Sequence, residues 1–186
     1  MIHKFQLTID DTYRQRLKDA IDQVISDNIN TSEHTNLHFV DGWKMLQVKI
    51  KETMLSYLSL QPTDSHLYLP PDNADIWIMK SWGVKTKPGD QIVADTHNHA
   101  YAHFVFCYYL DVPLKGGNTY FQDGFIQSQY PVTSGDIMIW PGHIEHRIPI
   151  NLGDQPRYAI AGDLMVFDKT DTNVHWGSPV DKWIKI

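Results

Sequence analysis

The segment Ser134–Ile148 has the sequence SGDIMIWPGHIEHRI, which is the main indicator of the fold. A Ser-Gly-Asp turn leads into four apolar residues, the Pro141-Gly142 pair interrupts them, and a second short run begins at His146. Turn residues that bracket short apolar runs are typical of antiparallel strands. We therefore expect two short strands here, separated by a tight corner.

The same pattern of short runs extends on both sides of this stretch. Runs bounded by Gly, Pro, Asn and Asp are Ile76–Trp82, Ile92–His97, Phe104–Leu110, Asn118–Phe121, Ile137–Trp140, His146–Ile150 and Tyr158–Val166. Seven or eight short strands with no helices between them predict an antiparallel sandwich or barrel.

The first third of the chain has a helical period instead. Asp10 and Asp11 are candidate N-caps of an amphipathic helix, and Asp41 can begin a second helix that Pro62 ends. Apolar residues recur at helical spacing in both segments, so each helix is predicted to bury one face against the sheet. The predicted fold is therefore mainly β with N-terminal helices.

The length of 186 residues fits a single domain. We expect a helical support over residues 1–70, a β core over residues 75–168, and a C-terminal tail over residues 169–186 that Trp176 and Trp183 anchor to the body. Two loops, Thr63–Ala74 and Phe125–Tyr130, are expected to border any pocket in the core.

Charge and cysteine content exclude several classes of protein. Sixteen Lys and Arg residues against 22 Asp and Glu residues give a net charge of −6, which disfavours nucleic acid and anionic membranes as partners. The single cysteine, Cys107, excludes an internal disulfide framework and a cysteine-rich zinc site. No apolar run approaches the roughly 18 residues of a membrane span, and the N-terminus lacks a targeting pattern. We therefore expect a cytoplasmic protein.

Histidine is the unusual entry in the composition. The chain has ten histidines, and five of them lie between His97 and His146. Two histidines at positions i and i+2 of a strand project to the same side, so His97 and His99 are predicted to face one space. His146, 49 residues after His97, can join them from another strand. Imidazoles arranged in this way can chelate a metal ion, whereas His103 and His143 are weaker candidates.

An arginine downstream of His146 is a further candidate site residue. Arg157 lies eleven residues after His146, beyond a turn and at the start of an apolar strand. If the turn folds the strands back on each other, both side chains can face one cavity. A guanidinium near a metal is suited to binding a dicarboxylate through two hydrogen bonds. The alternative is that Arg157 is a surface residue at a strand end.

Taken in order, these motifs resemble the 2-oxoglutarate- and Fe(II)-dependent oxygenases, and within them a bacterial and phage branch of largely uncharacterised members. The resemblance covers nearly half of the chain, from Ser81 to Val166. The matching positions are Ser81-Trp82, Gly89-Asp90, His97-Asn98-His99, Tyr108-Tyr109-Leu110 with Pro113, Phe121-Gln122-Asp123, Gly135–Pro141, Glu145-His146-Arg147 and Arg157.

The resemblance implies a double-stranded β-helix, a jelly-roll of the cupin type, that holds Fe(II) and uses 2-oxoglutarate and O₂. Carried over to this sequence, His97 is the first metal ligand, His146 is the distal ligand, and Arg157 binds the far carboxylate of 2-oxoglutarate. These three residues are the catalytic candidates. The implied reaction is hydroxylation of a substrate, with formation of succinate and CO₂.

The chain departs from the wider family at one position. The family uses His-x-Asp or His-x-Glu, whereas His99 stands in place of that carboxylate. His99 is the favoured third ligand; Asp123 as the carboxylate, or a site with two protein ligands, stays open. Tyr108 and Tyr109 are candidates for hydrogen bonds to 2-oxoglutarate, with packing in an aromatic core as their alternative.

Two other functions use the same residues. A cupin-type metal enzyme without 2-oxoglutarate would need the histidines but has no evident use for Arg157. A non-catalytic jelly-roll binding module would need neither. The sequence does not specify the substrate beyond a small molecule or a peptidyl side chain, and it leaves open whether the chain forms a homodimer.

Overall fold

The computed structural model describes residues 1–25, 36–39, 42–65, 69–91, 93–170 and 182–186. The elements in these ranges are β1 (His3–Gln6), α1 (Asp11–Val24), α2 (Lys44–Ser59), β2 (Ala74–Thr86), β3 (Val93–His97), β4 (Phe104–Asp111), β5 (Asn118–Asp123), β6 (Ile126–Pro131), β7 (Asp136–Pro141), β8 (Glu145–Ile148), β9 (Arg157–Asp168) and β10 (Ile184–Lys185), with short 3-10 turns at Leu37–Phe39 and Pro71–Asn73.

The strands form two antiparallel sheets. The large sheet has the order β1-β7-β4-β9-β2-β10, and the small sheet has the order β3-β8-β5-β6. Helices α1 and α2 pack on the outer face of the large sheet, and the small sheet covers its inner face. Helices, large sheet and small sheet therefore form three layers, which confirms the predicted double-stranded β-helix with N-terminal helices.

Three strands lie where the sequence pattern did not indicate them. Strand β1 pairs with β7 at the edge of the large sheet, and β10 pairs with β2 at the opposite edge. Strand β6 occupies most of the predicted loop Phe125–Tyr130 and pairs with β5. Each has few buried residues, so the apolar periodicity that identifies central strands is weak here. Trp176 lies outside the described residues.

The start of each helix is tied down by a hydrogen bond. Asp10 is the N-cap of α1, as predicted, and its carboxylate accepts a hydrogen bond of 2.8 Å from the Tyr13 amide. Asp41, the predicted start of the second helix, lies outside the described residues. In the first turn of α2 the Leu46 amide donates to the Tyr13 hydroxyl at 3.1 Å. Tyr13 thus links the two helices.

Alternation along the strands of the large sheet separates two cores. On β4, Phe104, Phe106 and Tyr108 face the helices, whereas Val105, Cys107 and Tyr109 face the small sheet. On β2, Ile76 and Ile78 face the helices, but Trp82 and Val84 face the small sheet. The change occurs because the register with β9 shifts between Ile78 and Lys80, and one extra residue reverses the faces of a strand.

Helix α1 lies directly on β2 at Gly83. A Cβ atom at position 83 would lie 2.6 Å from Ile21 Cγ1, and Ile21 is fully buried. We expect Gly83→Val to lower the free energy of unfolding by about 1–3 kcal/mol, because the core cannot accept the added volume without shifting the helix. Urea denaturation measures the loss. Adding Ile21→Ala should cost less in the Gly83→Val background than alone; wild-type stability for Gly83→Val would contradict this contact.

Candidate metal centre and adjoining cavity

The structure brings three of the predicted histidines together. Ligand nitrogens of His97, His99 and His146 all lie within 4.8 Å of one another. The imidazole centroids of His97 and His146 are 4.3 Å apart, and His99 is 5.3 Å from each of them. Three imidazoles at this spacing could hold one divalent ion.

Strand pairing accounts for the first two histidines. His97 and His146 are direct cross-strand partners in the pairing of β3 with β8, and directly opposed residues on one face of a sheet are in contact. The pairing of β3 with β8 therefore places these two imidazoles side by side.

His99 reaches the same place by another route. Strand β3 ends at His97, so the expectation that His97 and His99 share one face of a strand is wrong. The backbone instead bends at His99, whose amide donates to the Gly142 carbonyl at 2.8 Å. A Cβ atom at Gly142 would lie 2.5 Å from the His99 carbonyl oxygen. The Pro141-Gly142 corner therefore allows the His99 segment to approach β7 closely.

His146 is held in a neutral form. Its side chain is buried against Trp140 and Phe121, with ring centroids 4.9 Å and 6.1 Å away. Burial, and then the neighbouring His97 and His99, lower the pKa of His146 to about 3. A neutral imidazole keeps the lone pair that a metal ligand needs.

A buried carboxylate contacts His99, the third histidine. Asp163 Oδ1 lies 2.7 Å from His99 Nδ1, and Asp163 is fully buried. The Tyr101 hydroxyl donates to Asp163 Oδ2 at 2.9 Å. The indole of Trp82 stacks on the other side of the His99 ring, with a centroid distance of 5.5 Å and an angle of 7°. The His99 ring is therefore fixed by neighbours on three strands or turns.

The histidines open into a cavity between the two sheets. Its walls include alternate residues of three strands of the large sheet: Trp82 and Val84 of β2; Val105, Cys107 and Tyr109 of β4; and Arg157, Ala159 and Ala161 of β9. Burial raises the pKa of the Cys107 thiol to about 11, so Cys107 stays protonated and acts as an apolar wall residue.

Arg157 lies in this cavity and is 2% exposed, so it is not a surface residue. Its Nη1 donates to the Gly116 carbonyl at 3.0 Å, and the guanidinium lies 5.0 Å from the centre of the Tyr109 ring. Within the described part of the chain, Nη2 has no hydrogen-bond partner and no carboxylate forms an ion pair with Arg157. A buried cation without a counter-charge is costly, so this site fits an anionic ligand.

Tyr108 and Tyr109 lie on opposite faces of β4. The Tyr109 hydroxyl is 2.8 Å from Thr119 Oγ1, and both residues line the cavity. Tyr108 lies on the opposite face of β4, in the core beneath the helices, where burial raises its pKa to about 12. The strand alternation therefore rules against Tyr108 as a residue that binds 2-oxoglutarate, and Tyr109 keeps its place beside Arg157.

The other candidate residues lie away from the three histidines. Asp123 is exposed at the end of β5 and is absent from the histidine group. His103, which directly precedes β4, has its Nδ1 2.9 Å from the carbonyl oxygen of Val166 in β9, and His143 is exposed. Trp82 and Trp140 line the cavity. None of the described residues of the predicted border loops Thr63–Ala74 and Phe125–Tyr130 does so.

Three residues at the site were not identified from the sequence: Asp163, Tyr101 and Thr119. Asp163 is a charged residue within an apolar strand, Tyr158–Val166. A charge in such a run indicates a buried polar contact, and this was the signal available. Tyr101 and Thr119 have no comparable signal.

Comparisons with known proteins agree with this architecture. No protein-family model matches the sequence, and no curated protein matches it either. Among solved structures, the non-heme α-ketoglutarate-dependent epimerase SnoN from nogalamycin biosynthesis superposes with a TM-score of 0.69 at 12% identity, over 99% of this chain and 92% of that one. α-Ketoglutarate is another name for 2-oxoglutarate.

Two further structures are similar over most of their length. The α-ketoglutarate-dependent carbocyclase SnoK from the same biosynthesis has a TM-score of 0.61 at 11% identity, over 100% of this chain and 91% of its own. A Pseudomonas putida prolyl-4-hydroxylase has a TM-score of 0.56 at 9% identity, over 88% of this chain and 92% of its own. At these identities the similarity establishes the fold, which is the double-stranded β-helix found in 2-oxoglutarate-dependent enzymes.

Among the described residues, no helix combines the length and apolar character needed to cross a membrane.

Proposed function

We propose that this chain is a 2-oxoglutarate- and Fe(II)-dependent oxygenase. In this proposal His97, His99 and His146 hold the metal, and Arg157 binds the distal carboxylate of 2-oxoglutarate. The observation that carries it is the buried guanidinium of Arg157, which has no carboxylate partner among the described residues and lies in the same cavity as three clustered imidazoles. A metal site alone would not need that cation, whereas a metal-chelating dicarboxylate would.

The residues of the cavity have distinct roles in this proposal. The three imidazoles would hold the metal, and Arg157 would orient the dicarboxylate, with the Tyr109–Thr119 hydroxyl pair nearby. Trp82 and Trp140 shield the site from water. When bound, the metal and 2-oxoglutarate would supply O₂ activation coupled to conversion of the keto acid to succinate and CO₂.

The fold and Arg157, rather than the donor set, favour iron. Imidazole nitrogens accept Fe, Zn, Cu and Ni alike, so the three histidines by themselves do not select the metal. The fold is shared with enzymes named for their dependence on α-ketoglutarate. Together with Arg157, this supports Fe(II) with 2-oxoglutarate over a cupin-type metal enzyme that lacks the cosubstrate.

The test uses tag-free protein loaded with Fe(II). Under anaerobic conditions, adding 2-oxoglutarate should produce a weak visible charge-transfer band, and admitting air should release succinate slowly even without a substrate. Both signals should require Fe(II) and 2-oxoglutarate together, with Zn(II)-loaded protein as the control. Iron-loaded protein that gives neither signal would contradict the proposal, and tight iron binding in that case would favour a metal enzyme without 2-oxoglutarate.

A further inference from the structure

We infer that Asp163 is a positioning residue of the metal site, acting through His99; the inference rests on the metal site of the proposed function. Asp163 lies on β9, is fully buried, and accepts hydrogen bonds from both His99 and Tyr101. It fixes which nitrogen of His99 is available, and it places a buried carboxylate directly behind the histidine cluster.

The contact with Asp163 sets the tautomer of His99. A carboxylate oxygen can only accept a hydrogen bond, and Asp163 Oδ1 lies 2.7 Å from His99 Nδ1. The proton of the neutral ring therefore resides on Nδ1, and the lone pair resides on Nε2. Metal-bound histidines commonly donate their other ring nitrogen to a carboxylate, which fixes the ring and makes it a stronger ligand.

Asp163 also helps to set the orientation of the His99 ring. His99 lies beyond the end of β3, so strand pairing does not set the direction of its side chain. The Asp163 contact and the parallel stack of Trp82 hold the ring instead, and the turn from His99 to Ala102 is closed by the Ala102 amide, which donates to the His99 carbonyl at 2.8 Å. Asp163 is thus part of the reason why a residue outside the strand lies next to His97 and His146.

Asp163 and Arg157 place opposite charges on the same face of β9. Among the described residues, no lysine or arginine forms an ion pair with Asp163. Arg157, on the same face of β9, lies six residues away, which is about 20 Å along a strand. Between them stand only the small side chains of Ala159 and Ala161 on that face. Among the described residues, this face of β9 therefore carries a guanidinium without a carboxylate partner at one end, and a carboxylate without a lysine or arginine partner at the other. The two ends are complementary to a bound carboxylate at Arg157 and a bound metal cation near Asp163.

The experiment measures Co(II) affinity of the full chain by competition with a coloured chelator, together with the visible Co(II) spectrum. Asp163→Asn keeps the shape of the side chain and removes its charge, and should weaken Co(II) binding about 10–100-fold. Asp136→Asn is the matched control. Asp136 is also buried and hydrogen-bonded, to the Thr133 amide at 2.8 Å, but lies outside the histidine group, so Co(II) affinity should stay at the wild-type value.

A double-mutant cycle separates positioning from general stability. In a His99→Ala background, adding Asp163→Asn should change Co(II) affinity less than about twofold, because the residue acts through His99. Equal losses with and without His99 would overturn the inference, as would a folded Asp163→Asn protein with wild-type affinity. Tyr101→Phe, at a largely exposed position, should weaken Co(II) binding severalfold, and an unchanged affinity in this variant would count against the inference if Asp163→Asn does not fold.

Failure of this inference differs from failure of the proposed function. Wild-type protein that binds Co(II) in a manner dependent on Asp163, but never releases succinate with Fe(II) and 2-oxoglutarate, would retain the positioning role and lose the oxygenase proposal. Protein that releases succinate while Asp163→Asn binds metal normally would do the reverse. Wild-type protein that binds no divalent metal would overturn both.

Discussion

Replacing Arg157 with methionine should raise the Kd for 2-oxoglutarate at least about 30-fold while leaving the metal content unchanged. Removing one partner of a buried charge pair costs about 2–5 kcal/mol of binding free energy, and about 1.4 kcal/mol corresponds to a factor of ten in Kd. The Kd can be measured by anaerobic titration of the metal-loaded protein with 2-oxoglutarate. Arg147→Met is the matched control, because Arg147 stacks on Tyr120 and does not line the cavity.

The stability of the same variant separates a binding role from a structural one. Without ligand, Arg157 is a buried cation that has one hydrogen bond to Gly116 and no carboxylate partner in the described residues. Replacing such a charge with an apolar side chain of similar length is often neutral or stabilising. The free energy of unfolding of Arg157→Met should therefore equal or exceed that of the wild type. A clearly less stable variant with unchanged 2-oxoglutarate affinity would show that Arg157 is a structural residue.

His146→Gln should abolish stable metal binding. The substitution leaves two imidazoles and a side-chain amide, which is a weak donor for Fe(II) or Co(II). We expect metal affinity to fall by more than the factor of about 10–100 typical of a residue that only supports a ligand. Because the glutamine fills much of the same space, the secondary structure seen by circular dichroism should not change.

Two other histidines provide controls for this loss. His143→Gln alters an exposed residue three positions earlier in the chain, and His103→Gln alters a residue that bonds to the Val166 carbonyl. Both variants should bind metal like the wild type. If His146→Gln retains full metal content, or if all three variants lose metal equally, the assignment of His97, His99 and His146 as ligands is incorrect.

Most of the β core could be predicted because its strands are buried and bounded by turn residues. Strand β7, for example, is a continuous apolar run between Asp136 and Pro141, and the apolar run of β4 ends at Asp111. The edge strand β1 and the short β10 lack such patterns, since their stability comes from pairing with β7 and β2. The local sequence of β1 or β10 does not indicate which distant strand it pairs with.

For the site, the sequence contained the residue types but not all of their directions. His97 and His146 follow from strand pairing and turn position. His99 lies in the correct place for a different reason from the one the pattern suggested, because β3 ends before it. Asp163 could not be paired with His99 from the sequence, since the two are 64 residues apart and meet only through the arrangement of β9 beside the His99 turn.

The extra residue in β2 has a consequence for comparing related chains. Met79 lies where the pairing with β9 shifts, and β2 accommodates it as one extra residue between Ile78, which faces the helices, and Trp82, which faces the cavity. Ile78 and Lys80 pair with Leu164 and Asp163, which are consecutive in β9. A chain without Met79 could therefore keep every one of these pairs in a regular strand, with Trp82 still at the cavity and Gly83 still at helix α1. An alignment gap at this position in a related chain would mark the loss of the bulge and not of the stacked tryptophan.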